Sequence, residues 1–136
     1  MWIDTHCHLD APEFAHTLPN IISAAQNHNV RAILLPTVKA ADCQNVKDLA
    51  AQFGAQLPGL VYTLGIHPLF SNQVKPGDLE IVDQQIAQSL SDPRFVGVGE
   101  IGLDYFVEDL DPQQQDLIFN AQLDLAEKYQ LPVILH

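Results

Sequence analysis

Two histidines separated by a single residue, His6 and His8, stand at the end of the first apolar segment of the chain. Side chains two positions apart in a β-strand point to the same face, so Asp4, His6 and His8 are expected to share one face. Two imidazoles side by side can chelate one cation, and the carboxylate of Asp4 could hold a ring N–H of one of them. A pair of structural histidines accounts for an isolated pattern of this kind equally well, so a metal site needs support from elsewhere in the chain.

A carboxylate lies within the most glycine-rich apolar segment, where Glu100 follows residues 96–99. Burying a carboxylate among apolar residues is costly unless it is paired with positive charge or binds a metal. The glycines of this segment, Gly97, Gly99 and Gly102, also match the spacing of a dinucleotide-binding loop. We reject that interpretation because Glu100 would place a negative charge beside a pyrophosphate, and the next helix begins only near residue 111.

Two further histidines, His67 and His136, each follow an apolar run, at the point where a parallel strand would leave the core. The first predicted strand therefore ends in two histidines, and the third, fourth and fifth end in one histidine, one glutamate and one histidine, respectively. Only the second strand, which ends before Thr37, offers no such residue. We expect the remaining histidines, His16 and His28, to be solvated. Mixed imidazole and carboxylate ligands suit Zn, Mn or Fe and catalytic sites with open coordination positions, and two such ions could clamp a displacement at phosphorus.

The elements that must position these residues alternate regularly along the chain. Apolar segments predict five strands, and periodic apolar residues between them predict four helices. The strands are expected at 1–7, 31–36, 60–66, 95–101 and 131–135, and the helices at about 18–28, 42–54, 79–90 and from 111 onward. The last helix has the clearest start, with Asp111 as the N-cap and Pro112 at the first helical position, and its expected apolar face is Leu117, Ile118, Ala121 and Leu125.

The repeat of one strand and one helix is about 30 residues long, which is the length of one βα unit. Such an alternation predicts a mostly parallel sheet covered by helices. An open doubly wound sheet would have a phosphate-cradling glycine loop after an early strand, whereas a (β/α)₈ barrel carries its chemistry at the carboxyl ends of several strands. The polar residues at the strand ends favour the barrel.

Composition excludes several classes of function. The chain has 136 residues, 17 acidic against 6 basic ones, and a net charge of −11. Such a thin spread of Lys and Arg cannot form a strong nucleic-acid patch, so a phosphate-bearing substrate would need bound cations. Apolar runs are far shorter than the roughly 20 residues that span a bilayer. Cys7 and Cys43 are too far apart for a zinc ribbon and do not indicate a disulfide scaffold, so we expect a cytoplasmic protein. We also expect no membrane partner and no obligate protein partner.

The segments that hold these polar residues resemble the TatD family of metal-dependent hydrolases, within the amidohydrolase-like superfamily. The matching stretches are IDTHCHLD at 3–10, GIHP at 65–68, GEIGLD at 99–104 and LPVILH at 131–136. The resemblance implies a TIM-like barrel and deoxyribonuclease activity that depends on divalent ions, two of Mg, Mn or Zn, with a metal-activated water cleaving phosphodiester bonds. It implies that His6 and His8 bind one metal, that Glu100 bridges both ions as the catalytic carboxylate, and that His136 binds the second.

The same resemblance places His67 in the substrate pocket near a phosphate and makes Asp104 a supporting residue. Family members are about twice as long, in keeping with the roughly 250 residues of such barrels, and they supply a later histidine and a later aspartate that is a ligand and the general base. We therefore expect residues 1–136 to be the N-terminal part of one barrel, with about five βα units and no activity alone. Hydrolysis of another ester or amide, such as aminoacyl-tRNA or a small molecule, and a non-catalytic remnant are the alternatives.

Overall fold

A computed structural model describes residues 1–136 and contains one parallel sheet of five strands with four helices. The strands are β1 (Trp2–Asp4), β2 (Val30–Pro36), β3 (Gly59–Leu64), β4 (Phe95–Ile101) and β5 (Val133–Leu135). The helices are α1 (Leu18–Asn27), α2 (Cys43–Phe53), α3 (Asp78–Ser89) and α4 (Pro112–Tyr129). Short 3₁₀ turns at Pro12–Phe14, Ala40–Asp42 and Pro68–Gln73 complete the connections. None of the helices is long and apolar enough to cross a membrane.

The order of the strands in the sheet decides between the two predicted architectures. Neighbours in the sheet are consecutive in the chain, in the order β1-β2-β3-β4-β5, and every pair is parallel. A doubly wound sheet reverses its strand order at a switch point, and no reversal occurs here. The sheet is therefore a half-barrel of five parallel strands with four helices between them, which confirms the predicted fold class.

The core lies between the three central strands and the helices that cover them. Large side chains with no exposed surface from β2, β3 and β4 form its centre, and α2 and α3 close it from outside. They are Leu35, Leu60, Tyr62, Leu64, Val98 and Ile101 from the strands, and Val46, Ala50, Val82 and Ile86 from the helices. Fully burying each aliphatic side chain stabilises the fold by about 1.5–3 kcal/mol, so this core holds the strand ends in place.

The two edge strands, β1 and β5, have no partner on their outer sides. Their apolar side chains are largely exposed, with Trp2 at 70%, Ile3 at 59% and Leu135 at 59%. β1 is also shorter than the sequence predicts, because it ends at Asp4 and leaves His6 and His8 in the following loop. The expectation that both histidines continue the strand is therefore wrong.

The buried face of the last helix also differs from the predicted one. Asp111 caps α4 as expected, since its carboxylate accepts from the N–H of Gln113 at 2.9 Å, but Leu117 of the predicted apolar face is exposed. The face of α4 that is buried carries Gln115, Ile118, Gln122 and Ala126 instead. Two amides thus occupy positions that the apolar pattern assigned to solvent, and the reason lies in the site that they support.

Candidate metal centre

The first cluster of ligand atoms lies where the loop after β1 meets the end of β4. His6 Nε2 lies 3.0 Å from Glu100 Oε2 and 3.1 Å from His8 Nε2. His8 Nε2 lies 3.9 Å from the same carboxylate oxygen. The two imidazoles and one oxygen of Glu100 therefore converge on one point, although the histidines follow the strand rather than belonging to it.

The second cluster lies on the other side of Glu100, at the ends of β3 and β5. His136 Nδ1 lies 2.8 Å from Glu100 Oε1, and His67 Nε2 lies 3.4 Å from the same atom. The two ring nitrogens are 3.0 Å apart. All four predicted histidines thus surround one carboxylate, and each of its oxygens faces a different pair.

Glu100 is the centre of this arrangement and is 4% exposed. A buried carboxylate requires compensation by hydrogen bonds or positive charge. Its main chain is fixed by the segment after the second strand, because the N–H of Glu100 donates to the carbonyl of Thr37 at 3.2 Å. The main chain of Glu100 is therefore anchored, and its two oxygens face the two clusters, as a carboxylate shared between two cations would.

The donor set fits divalent cations. Nitrogen and oxygen ligands lie about 2.0–2.1 Å from Zn²⁺, so two ligands of one ion are at most about 4.2 Å apart. The six separations in the two clusters run from 2.8 to 3.9 Å and all fall within that limit. A further acceptor lies nearby, since Asp10 Oδ1 is buried without a hydrogen-bond partner, 3.9 Å from His8 Nδ1. Burial raises the pKa of Asp10.

His67 differs from the other three histidines in its hydrogen bonds. Its Nδ1 accepts from the N–H of Leu69 at 3.1 Å, at the start of the 3₁₀ turn Pro68–Gln73. Burial lowers the pKa of His67, which favours the neutral ring. A neutral imidazole whose Nδ1 accepts must carry its proton on Nε2. The atom of His67 that faces Glu100 is therefore an N–H donor, which suits contact with an anionic oxygen better than ligation of a metal.

His136 has the opposite arrangement and suits ligation. Its Nε2 lies 3.2 Å from Asp104 Oδ2, and its Nδ1 faces Glu100. Burial acts to lower the pKa of His136, but hydrogen bonds with Glu100 and Asp104 raise it more, so the net pKa is above its ordinary value. A carboxylate that receives one ring N–H orients the ring and leaves the other nitrogen for an ion. Asp104 thus lies where it can orient the ring of His136.

Asp4 does not take the position predicted for it. Its Oδ1 accepts from the backbone N–H of His6 at 3.1 Å, and no ring nitrogen is its partner. The physical reason is that β1 ends at Asp4, so the chain turns there and the carboxylate satisfies the backbone of that turn. Asp4 shapes the loop that carries the two histidines.

Two buried glutamines of α4 hold the loops of the site, and sequence reasoning missed both. Gln122 Oε1 accepts from the N–H of Ile66 at 2.6 Å, and its Nε2 donates to the carbonyl of the same residue at 3.1 Å. Gln115 pairs in the same way with the N–H and carbonyl of Asp104, at 2.7 and 3.0 Å. Each amide fixes a backbone at or next to a site residue, so α4 sets the positions of His67 and Asp104.

Thr37 links the second strand to the third in a similar way. Its hydroxyl donates to the carbonyl of Gly65 at 3.0 Å and accepts from the N–H of the same residue at 2.6 Å. Thr37 has no exposed surface. The strand that offers no ligand is therefore followed by a residue that positions the segment before His67 and, through its carbonyl, Glu100.

Gly102 explains part of the glycine pattern that resembles a dinucleotide loop. It has a φ of +151°, and a Cβ at this position would lie 3.2 Å from the Cβ of His136. Gly97 is equally restricted, because a Cβ there would lie 2.5 Å from the carbonyl of Pro132. These glycines let β5 approach β4 closely enough for His136 to reach Glu100, and they cradle no phosphate.

Comparison with known proteins shows the family to which the chain belongs. Residues 3–136 match the family model described as TatD related DNase. The chain belongs to this family. The similarity covers nearly the whole chain, including all the residues of the two clusters.

The relatives of this chain carry names that differ in detail, from metal-dependent hydrolase to exonuclease. The chain is 36% identical over 135 residues to the uncharacterized metal-dependent hydrolase YjjV of Escherichia coli, covering 99% of this chain and 50% of that protein. It is 33% identical to a 3'-5' ssDNA/RNA exonuclease TatD of Erwinia tasmaniensis, with 98% and 49% covered. The crystal structure of E. coli YjjV superposes with a TM-score of 0.89 at 35% identity and covers 99% of this chain and 50% of that one. The chain thus spans about half the length of the curated relatives it matches.

Proposed function

We propose that this chain carries the metal-binding part of a hydrolase that cleaves phosphodiester bonds in nucleic acids. The observation that supports the proposal most directly is the position of Glu100, whose two oxygens face two different pairs of histidines. The names of the relatives, which include metal-dependent hydrolases and a single-strand exonuclease, agree with it. We take single-stranded nucleic acid as the substrate class.

The proposed roles follow from the geometry of each side chain. His6, His8 and one oxygen of Glu100 would hold one cation, and His136 with the other oxygen would hold a second. Bound divalent ions supply Lewis acidity and lower the pKa of water, and a pair of them suits in-line displacement at phosphorus. Asp104 keeps the ring of His136 in the orientation that ligation requires.

His67 has a separate role, which is to bind the substrate. Its Nε2–H points into the site, and its Nδ1 is held by the N–H of Leu69, so the ring cannot exchange donor and acceptor without losing that hydrogen bond. A fixed neutral donor suits a non-bridging phosphate oxygen, where it adds a hydrogen bond without an additional charge to desolvate. His67 thus orients the phosphate relative to Glu100.

We further propose that residues 1–136 form the N-terminal part of one barrel. The support is that the relatives are about twice as long and that β1 and β5 leave apolar side chains exposed at both sheet edges. Later strands would then pair with both edges and add ligands and a general base. The intact mass of the protein from its native cell tests this directly: about twice 15.0 kDa supports it, and 15.0 kDa contradicts it.

Hydrolysis by the protein as its cell makes it tests the function. Single-stranded DNA, single-stranded RNA, duplex DNA, aminoacyl-tRNA and small esters are assayed side by side with Mg²⁺, Mn²⁺ or Zn²⁺ and with a chelator. We expect cleavage of single strands that requires the metal and is lost in Glu100→Gln. Preference for an ester or amide would change the assigned substrate class. The absence of metal-dependent turnover on all of these substrates would contradict the proposal.

A further inference from the structure

A pocket of about 500 Å³ lies directly beside the candidate metal centre. It opens between the segment after β2, the segment after β3 and the start of α3. Lys39, Ile66, Phe70, Lys75 and Asp78 contribute to its walls. None of these residues belongs to the two ligand clusters, so the pocket is a separate feature of the same edge of the sheet.

The pocket and the metal centre share a wall. Ile66 lines the pocket and precedes His67, whose backbone N–H donates to the carbonyl of Val38, next to Lys39, at 3.0 Å. The ring of Phe70 lies 6.1 Å from the ring of His67, centroid to centroid, and Lys39 Nζ lies 4.4 Å from the centroid of Phe70. A chain of direct neighbours therefore connects Glu100, through His67 and Phe70, to the ammonium group of Lys39.

The positive charge of the lysines that line this pocket is unusual for so acidic a chain. Of the 6 basic residues, four have a polar side-chain partner: Arg31 with Asn29, Lys47 with Gln85, Arg94 with Asp92 and Lys128 with Asp83. The other two are Lys39 and Lys75, and both line this pocket. The two lysines whose ammonium groups have no polar protein partner thus line the same pocket.

The single acidic residue of the pocket is already engaged. Asp78 begins α3, and its Oδ2 accepts from the backbone N–H of Lys75 at 2.9 Å. The carboxylate therefore fixes the segment that carries Lys75 and forms no ion pair with either lysine. The pocket keeps a net charge of +1 in a protein whose net charge is −11, and it has apolar walls from Ile66, Phe70 and Val74.

We propose that this pocket binds a nucleotide of the substrate strand adjacent to the phosphate at the metal centre, with Lys39 and Lys75 contacting its phosphate group. Apolar walls beside two ammonium groups match a nucleotide, whose base and sugar are apolar on their faces and whose phosphate is anionic. The proposal rests on the proposed function, because it assigns a second subsite to the same substrate. It also assigns a role to the two unpaired lysines at this edge of an acidic protein.

Binding without catalysis tests the pocket. The protein as its cell makes it is titrated, in chelator so that nothing is cleaved, into a fluorescent single-stranded DNA oligonucleotide without terminal phosphates, at salt concentrations between roughly 50 and 200 mM. Each phosphate of a single strand that a lysine neutralises adds about 0.7 to the slope of log K against log salt. Because both lysines contact one phosphate group, we expect the slope to be smaller by about 0.7 in the double variant, and by no more than that amount in Lys39→Gln and in Lys75→Gln.

Lys47→Gln is the matched control, because Lys47 is a partly buried lysine on α2 whose partner is the side chain of Gln85. It should leave the slope unchanged. Equal slopes for the wild type and the double variant would overturn the proposal. A mononucleotide with a terminal phosphate that binds as tightly as the oligonucleotide, and with the same dependence on both lysines, would also overturn it, because the pocket would then be a site for free phosphate monoesters.

Failure of the proposed function gives a different result. In that case the wild type cleaves no strand when metal is supplied, whereas the lysine-dependent salt slope in chelator is unaffected and continues to support an oligonucleotide subsite. Conversely, metal-dependent cleavage that disappears in Glu100→Gln, together with salt slopes that do not change in the lysine variants, removes the pocket from the substrate path and leaves the proposed function in place.

Discussion

The two ends of the same sheet both carry polar groups next to the core, but the partners of these groups differ. At the amino end of β4, Asp92 accepts from the hydroxyl of Tyr62 at 2.9 Å and from the N–H of Arg94 at 2.9 Å, so each of its oxygens has a protein donor. At the carboxyl end, ring nitrogens face one another at 3.1 and 3.0 Å around Glu100. In the first network both oxygens of Asp92 are satisfied by donors of the protein, whereas the second network gathers ring nitrogens around the two oxygens of Glu100.

This difference separates a structural network from a site. A complete set of donors and acceptors contributes stability, and removing a member leaves a buried group without its partner. A cluster of candidate ligand atoms contributes little stability by itself, and its arrangement suits a bound cation. Substitutions at the two ends should therefore change different observables, and the following predictions use that contrast.

The largest effect is expected for Glu100→Gln. The loss of residues that merely orient metal ligands costs about 10–100-fold in metal affinity or activity, so the loss of a shared carboxylate should reduce hydrolysis by more than about 100-fold. In chelator, its melting temperature should fall by less than that of Tyr62→Phe, because the desolvation of a buried carboxylate offsets its hydrogen bonds. Activity assays and thermal unfolding on the same preparations measure both. Retained hydrolysis would refute the role of Glu100.

Replacing Gln122 by leucine should give the largest loss of stability among the substitutions considered. The change leaves the N–H and the carbonyl of Ile66 buried without partners, at about 1–3 kcal/mol for each group. We expect the free energy of unfolding to fall by about 2–6 kcal/mol in urea titrations. Gln113→Leu, at an exposed position in the first turn of the same helix, is the control, and equal losses in both variants would show that the amide clamp is not the cause.

Tyr62→Phe should lower stability by about 1 kcal/mol while leaving activity unchanged, since it removes one hydrogen bond of the complete network. Burial raises the pKa of Tyr62 to about 12, from an ordinary value of 10.0. A group whose pKa is raised in the folded state stabilises the protein below its ordinary pKa, and this stabilisation is lost as the pH rises from about 10 toward about 12. Stability profiles over this range should be flatter for the variant, and identical profiles would contradict the assignment.

The smallest effect is expected on the surface, where Lys128 donates to both oxygens of Asp83 at 2.9 Å. The hydrogen bond from Lys128 holds the pKa of Asp83 below its ordinary value. Stability from this pair is present above the ordinary pKa of 3.8 and is lost as the pH falls through the lowered value. Lys128→Gln should lower the melting temperature slightly at low ionic strength and not measurably in 1 M salt, since salt screens exposed pairs. A difference that persists in high salt would argue for a packing role.

The sequence predicts much of this arrangement because each candidate site residue follows a local signal. A polar residue after a short apolar run marks the end of a parallel strand, and parallel strands end at the same edge, so His67, Glu100 and His136 could be placed together before any coordinates. The bounds of β4 are those predicted, and the other strands differ by a few residues at their ends.

The parts that sequence reasoning missed depend on contacts between distant segments. Gln115 and Gln122 look like ordinary polar residues of an amphipathic helix, and only their spacing relative to the buried Ile118 and Ala126 marks them as core positions. Lys39 and Lys75 are far apart in the chain and line one pocket only because the segments after β2 and β3 fold against each other. Short-range patterns carry no information about such pairs.

The count of metal ions bound to the protein tests the central claim most directly. Isothermal titration calorimetry with Mn²⁺, on the wild type and on Glu100→Gln as the native cell makes the protein, gives both stoichiometry and affinity. Two ions for the wild type, and weakened binding of both in the variant, is the predicted result, because one carboxylate faces both clusters. Binding that is the same in the two proteins, or no binding to either, would contradict the account.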